Sequence, residues 1–202
     1  MIPFMRPIPA FLIIACLSAG VPLSAQPAPA PMREVNVTTD SAPGWLPSEA
    51  EERAARAALD RYFAAIEAGD DRGAYAMMTP GQQATVPFTE FTTTNAAFRT
   101  RAGALHGRRV LRLTWTKDPA DAPRPGIYAA FDLSAAWANV DRQCGYAILY
   151  QESESAPFQL GRIESNFIGN EDAREIERTQ GRAGLDQVWA ALTQHCPNYR
   201  PE

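Results

Sequence analysis

Asp132 is the residue whose neighbours most favour acid–base chemistry in this sequence. It lies between two large apolar residues in the alternating run 126–150. A carboxyl group in an apolar pocket has a raised pKa and could act as a general base, with Tyr62 or Tyr128 as hydrogen-bond donor. The same alternation allows a second interpretation, in which Asp132 lies on the sheet face opposite Phe131, exposed or paired with an arginine. We favour the second interpretation, because aspartates in strands commonly face solvent.

Aromatic residues form a second candidate group. Rings at helix or strand spacing could line a pocket for a ligand, although such rings more often belong to a hydrophobic core. The ligand-binding candidates are Tyr62, Trp115, Tyr128, Trp137 and Tyr146, with Tyr150 close to them in the sequence.

The remaining reactive side chains point to no recognised site. His106 and His195 each lack a second metal ligand at useful spacing, so we expect neither a metal site nor a cofactor. Arg108, Arg109 and Arg112 could hold an anionic ligand, but a solvated strand edge explains them better. The sequence has no GxSxG elbow, phosphate-binding glycine loop, dinucleotide fingerprint or HExxH motif. A binding protein is therefore favoured over an enzyme.

The N-terminus indicates export. One basic residue, Arg6, precedes the almost entirely apolar residues 7–21, and a small residue, Ala25, precedes a turn-rich stretch. This pattern is typical of a secretory signal peptide, so we expect cleavage after Ala25 and a periplasmic or secreted protein. The apolar run is short of the roughly 20 residues of a membrane span. The stretch Ile13-Ile14-Ala15-Cys16 resembles a lipobox, so a lipoprotein anchored at Cys16 is the alternative.

Export changes the interpretation of the cysteines. Removal of residues 1–25 leaves Cys144 and Cys196, an even pair, in an oxidising compartment, where we expect a disulfide. Reactive or metal-binding thiols are the alternative, but no CxxC motif supports them. The formal net charge of −4, without basic clusters, argues against a nucleic-acid partner. We expect a small apolar ligand or an envelope protein as partner, and keep a homodimer open.

The rest of the chain divides by composition and period. Residues 26–47 are rich in proline and alanine and predict a flexible leader. A capping box at Ser48 begins a long amphipathic helix that ends at Gly69. Asp71 could then cap a short helix that Thr79-Pro80-Gly81 stops. Residues 87–101 predict a third helix.

Strand patterns follow. Residues around 110–115 predict one strand, residues 126–150 a hairpin that turns at Ala138-Asn139-Val140-Asp141, and residues 158–168 a fourth strand. Residues 171–194 return to helical spacing, with a weak point at Gly181. The order predicts an α+β domain over residues 48–170 and a C-terminal helical extension over residues 171–202.

Four stretches of the chain resemble one bacterial exported family. They are RYFAAIEAGDDRGAYAMMTP, FRTRAGALHGRRVLRL, the strand start PGIY and FDLSAAWANVDRQCGYAIL. Over roughly residues 50–168 the chain is similar to the family called domain of unknown function 4019. This family resembles the nuclear-transport-factor-two-like cone, which ketosteroid isomerases and scytalone dehydratases share. The resemblance implies a curved antiparallel sheet of about four strands, packed on N-terminal helices around a pocket.

The sequence predicts an exported domain that binds a small ligand or a protein through a cone pocket without catalysis. Two other functions stay open. An isomerase- or dehydratase-like enzyme would use Asp132 inside the pocket. A structural, dimerising accessory protein would instead have a filled cone and an apolar exposed sheet face.

Overall fold

The computed structural model of the chain describes residues 35–196. Cleavage after Ala25 and lipid attachment at Cys16 concern residues outside this range. The described residues form an α+β domain with these elements: β1 (Asn36–Val37), α1 (Glu49–Ala68), α2 (Asp71–Ala76), α3 (Pro80–Thr85), α4 (Phe88–Ala102), β2 (Leu105–Lys117), β3 (Ile127–Trp137), β4 (Val140–Gln151), β5 (Gln159–Gly169) and α5 (Asn170–Leu192), followed by a 3₁₀ turn (Thr193–His195). None of the helices within residues 35–196 is long and apolar enough to span a membrane.

The first helix begins and ends as predicted. The Ser48 hydroxyl accepts a hydrogen bond from the Glu51 backbone N–H at 3.1 Å, and the Glu51 carboxylate accepts one from the Ser48 N–H at 2.6 Å. This capping box satisfies two N–H groups that the helix itself leaves free. At the other end, Gly69 adopts a left-handed conformation with φ of 75°, which terminates the helix.

Two details of the next helices differ from the prediction. Asp70, not Asp71, caps α2, since its side chain accepts a hydrogen bond from the Gly73 N–H at 2.9 Å. Thr79-Pro80-Gly81 does not merely stop α2 but begins α3, because Thr79 caps the helix and Pro80 occupies its first turn. Proline fits there because the N–H groups of the first helical turn have no hydrogen-bond partner within the helix, so the missing N–H of proline costs no bond. The predicted third helix is confirmed as α4.

The sheet of the described residues has the order β1-β2-β3-β4-β5. Strands β2 to β5 are antiparallel neighbours, as the four predicted strands require, while β1 runs parallel to β2 and makes the sheet mixed. The strand β1 lies within residues 26–47, the stretch predicted as a flexible leader. Asn36 and Val37 pair with Thr114 and Trp115, and the Trp45 ring packs on the Trp115 ring.

The N-terminal helices cover one face of the sheet. Alternate residues of β3, from Ile127 to Leu133, are buried, and they meet α1 through Leu59 and Tyr62. Because successive side chains of a strand point to opposite faces, this alternation separates the main core from the other side of the sheet. Trp115 and Phe131 are the largest side chains that this core buries almost completely.

The last helix covers part of the opposite face. Leu185 and Trp189 of α5 form a second core with Ile168 of β5 and Cys144 of β4. The predicted disulfide is present, since Cys144 and Cys196 are bonded across 52 residues of sequence. The predicted weak point is a kink at Gly181, where φ is 71° and the backbone leaves the helical conformation.

The disulfide should stabilise the domain measurably. Closing a loop of 52 residues restricts the unfolded chain by about 4 kcal/mol in the chain-entropy model. We expect the double substitution Cys144→Ala and Cys196→Ala to lower the free energy of unfolding by about 2–4 kcal/mol. Urea unfolding with and without reductant measures this loss. Equal midpoints for the oxidised and reduced wild-type protein would contradict it.

Candidate functional site

A cavity of about 220 Å³ lies between α1, the end of α2 and the strands β4 and β5. It is partly open to solvent. Most of its lining is apolar, and the polar side chains in it belong to Arg61, Tyr62 and Gln159. The complete lining consists of Ala58, Arg61, Tyr62, Ala76, Met77, Leu149, Pro157, Phe158, Gln159 and Leu160.

Backbone hydrogen bonds hold the two walls of the cavity together. The Leu160 N–H donates to the Met77 carbonyl at 2.8 Å, and the Thr79 N–H donates to the Leu160 carbonyl at 2.9 Å. These bonds attach the end of α2 to the beginning of β5. Alanines at positions 58 and 76 leave room where larger side chains would fill the space. The pocket therefore depends on small residues set between rigidly connected elements.

Tyr62 has an unusual environment for a buried tyrosine. The residue is only 3% exposed and its hydroxyl makes no hydrogen bond within residues 35–196, but the hydroxyl itself is not among the fully buried polar atoms without a partner, so it retains some accessible surface. Burial raises the pKa of Tyr62 well above its ordinary value, and the nearby Asp71 carboxylate raises it further. The phenol consequently stays protonated at physiological pH and keeps its proton available to donate.

Arg99 keeps the Asp71 carboxylate in place. Its guanidinium contacts both carboxylate oxygens of Asp71, at 2.7 and 3.1 Å, and also donates to the Ile66 carbonyl. The hydrogen bond to Asp71 raises the pKa of Arg99. This bidentate pair connects α4 to the start of α2, the helix whose other end lines the cavity.

Only Tyr62 of the five aromatic candidates lines the cavity. Trp115 is buried in the core behind Phe158, with ring centroids 6.1 Å apart. Trp137 lies at the far end of β3, where its ring packs on Phe98 and its indole N–H donates to Gln143. The sheet therefore does not bring these rings together into one binding site.

Tyr128 and Tyr146 belong to the other face of the sheet. The Tyr128 hydroxyl donates to the Arg124 carbonyl at 2.7 Å, and its ring packs on Tyr150. Burial, followed by the Glu164 carboxylate, raises the pKa of Tyr146 to about 12. These tyrosines stabilise the outer surface of the sheet.

Asp132 lies on the face opposite Phe131. Phe131 is completely buried in the main core, whereas the half-buried Asp132 pairs in register with Arg112 on β2 and Tyr146 on β4. It is not among the residues that line the cavity. The catalytic alternative places this carboxylate inside the pocket, and that role stays a prediction.

The other polar candidates are distributed around the sheet. Arg108 pairs with Glu67 at 2.8 Å and lies 3.6 Å above the Phe63 ring. Arg112 donates to the Asn36 side chain at 3.4 Å, and His106 is exposed on β2. Across residues 35–196, no cluster of three or more histidine, cysteine or acidic side chains could hold a metal ion. The side chain of His195 lies outside the described part of the chain.

Sequence reasoning missed most of the cavity. Arg61 lies on α1, Met77 directly follows α2 and Phe158 directly precedes β5, and none carries a local signal of binding. The bridge between Met78 and Leu160 brings the second and third of these segments together, although they are distant in sequence. Only the helical stripe of α1, which contains Tyr62, pointed towards this region.

A family model described as "Protein of unknown function (DUF4019)" matches residues 58–158. The match spans 101 of the 202 residues, half of the chain. The chain belongs to this family. The DUF4019 segment contains all lining residues of the cavity except Gln159 and Leu160, whereas α5 and Cys196 lie beyond it. Comparisons with curated proteins and with solved structures find no match.

The unpartnered hydroxyl of Tyr62 leads to a stability prediction. Tyr62→Phe removes a hydroxyl that makes no hydrogen bond within residues 35–196 and retains some accessible surface, so the free energy of unfolding at neutral pH should change by less than about 1 kcal/mol. The raised pKa adds a pH dependence. Above pH 10 the unfolded chain releases the Tyr62 proton while the folded chain retains it, so wild-type stability falls as pH rises.

Urea unfolding at neutral pH and at pH values above 10 tests both parts. The decline with pH should be shallower in Tyr62→Phe than in the wild type. Tyr75→Phe is the control for loss of a bonded hydroxyl, since the Tyr75 hydroxyl donates to the Gln83 and Val86 carbonyls. If Tyr62→Phe destabilises the protein as much as Tyr75→Phe does, the Tyr62 hydroxyl has a partner after all.

Proposed function

We propose that this DUF4019 protein is an exported domain that binds a small, mainly apolar ligand without catalysis. The observation that carries the proposal is the cavity of about 220 Å³ between the N-terminal helices and the sheet. An apolar cavity of about 150 Å³ is large enough to bind benzene. The cavity therefore suits a single aromatic ring or a short alkyl chain with one or two polar atoms.

The finer fold assignment belongs to the same proposal. In a nuclear-transport-factor-two-like cone, helices pack on one face of an antiparallel sheet and leave a pocket between them. The position of α1 against β3 and β4, with a cavity at the β5 side, supports this assignment. The helix α5 on the opposite face is an addition to that plan.

The disulfide supports export. Disulfides persist in oxidising compartments and are rare in the cytosol. The bond between Cys144 and Cys196 is therefore consistent with the signal peptide that residues 1–25 predict. Both periplasmic release and lipid anchoring at Cys16 would place the domain in such a compartment.

The chemistry of the lining favours binding over proton transfer. Its polar side chains are a guanidinium on Arg61, a phenol on Tyr62 and an amide on Gln159. All three groups can donate hydrogen bonds, and burial, which raises the pKa of Tyr62, keeps its phenol protonated at neutral pH. They can hold and orient a ligand through hydrogen bonds.

A bulky side chain at the cavity should abolish binding. Ala76 is exposed and lines the cavity, so Ala76→Trp can fill the space without disturbing the core. Ala57→Trp, at an exposed position of α1 outside the cavity, is the matched control. Benzyl alcohol, a neutral probe, should bind the wild type and the control with Kd on the order of 1 mM in a titration followed by NMR. Ala76→Trp should raise the Kd of benzyl alcohol by more than about tenfold. An unchanged Kd would show that benzyl alcohol binds somewhere other than this cavity.

Native mass spectrometry of protein recovered from the bacterial envelope tests export. We expect the mass of residues 26–202 less two hydrogens for the disulfide, together with any ligand that the cavity retains. A chain that begins at an acylated Cys16 would establish lipid anchoring instead. The uncleaved mass, with free thiols at Cys144 and Cys196, would contradict export.

A further inference from the structure

We infer that the ligand of this cavity is a small carboxylate, with an anionic head at Arg61 and Tyr62 and an apolar body of one ring or a short alkyl chain. The inference rests on the proposed function and adds the chemical class of the ligand. Two neighbouring polar side chains of the lining carry it, since within residues 35–196 Arg61 makes no ion pair and the Tyr62 hydroxyl makes no hydrogen bond.

The first side chain is Tyr62. A buried tyrosine hydroxyl usually finds a hydrogen-bond partner, because leaving one unpaired in an apolar environment is costly. Tyr62 is 97% buried and lines the cavity; its hydroxyl makes no hydrogen bond within residues 35–196, yet it is not among the fully buried unpaired atoms and so retains some accessible surface. With its pKa raised by burial, the phenol is a permanent donor. A ligand acceptor atom in the cavity would satisfy it.

The second side chain is Arg61, the preceding residue of α1. Two other arginines of this helix pair with glutamates one turn earlier: Arg53 contacts Glu49 at 3.5 Å, and Arg56 contacts Glu52 at 2.9 Å. Arg61 instead has alanines at positions 57 and 65, four residues away on either side, and has no ion pair within the described residues. The sequence thus leaves this one guanidinium of the helix available at the exposed rim of the cavity.

The two donors together specify the head group. Consecutive residues of a helix differ by about 100° in direction, so Tyr62 is buried while Arg61 stays at the rim. A carboxylate can accept a hydrogen bond from the phenol with one oxygen and face the guanidinium with the other. Arginine favours carboxylates because the planar groups match in geometry. The apolar body would then contact Met77, Leu149 and Phe158, which lie in the same lining.

Benzoate and its neutral analogue benzamide test the inference. Both contain nine non-hydrogen atoms, three more than benzene. Since a cavity of about 150 Å³ is large enough for benzene, we expect each probe to fit a cavity of about 220 Å³. At neutral pH we expect the wild-type protein to bind benzoate about three- to tenfold more tightly than benzamide in an NMR titration. Arg61→Gln should remove this preference, so that the ratio of the two affinities falls to about one. Arg53→Gln, on the same helix but outside the cavity, should keep it.

Tyr62→Phe provides a separate arm. This substitution should raise the Kd of benzoate by about threefold or more, because one hydrogen bond to the ligand is lost, although the protein keeps its stability. If Tyr62 bonds only to a trapped water, the substitution will leave benzoate binding unchanged, and that result contradicts the inference. Equal affinity for benzoate and benzamide in the wild type, or a preference that survives Arg61→Gln, would also overturn it.

The controls separate this inference from the proposed function. If both probes bind equally and Ala76→Trp excludes both, the cavity binds small molecules but does not select anions. If neither probe binds the wild type at millimolar concentration, the proposed function fails together with its ligand class. Hexanoate and hexanamide repeat the comparison with an alkyl body.

Discussion

The central hairpin of β3 and β4 has to be covered on both faces, and the rest of the domain follows from this requirement. One face presents Ile127, Phe131 and Leu149, and the N-terminal helices bury it. The other presents Cys144, and α5 buries that end together with Ile168. A single layer of helices could not satisfy both faces, because side chains alternate across a strand. The C-terminal helix is therefore part of the folded domain, although it lies beyond the segment that defines the family.

Local patterns predicted the elements well because each has a local physical cause. Ser48 and Glu51 cap α1, Gly69 ends it, and the alternation around Phe131 marks the buried strand face. The errors occurred where two local interpretations compete. Asp70 and Asp71 can both cap a helix; in the structure Asp70 caps α2, while Asp71 binds Arg99 of another helix. The Thr79-Pro80 pair likewise ends one helix and begins another, with equal support from sequence.

The candidate site was far less predictable than the fold. Aromatic rings were the obvious candidates, but a ring carries no information about the sheet face on which it lies, and Tyr128 and Tyr146 proved to be on the far side. Arg61 differs from the other arginines of α1 because no acidic residue lies one turn away from it. This difference indicates a binding role only once the structure shows that Arg61 lies at a cavity. Position in space, rather than residue type, distinguishes this arginine from Arg53 and Arg56.

The hydrogen bonds between Met77, Thr79 and Leu160 imply that the cavity forms late in folding. They join residues that are 83 and 81 positions apart (160 − 77 and 160 − 79), so this wall forms only after the chain has closed a long loop. Under the proposed function, a ligand would bind only the domain in which this wall has formed. Its binding would then stabilise the whole fold by mass action, and the gain in unfolding free energy would grow with the ligand concentration.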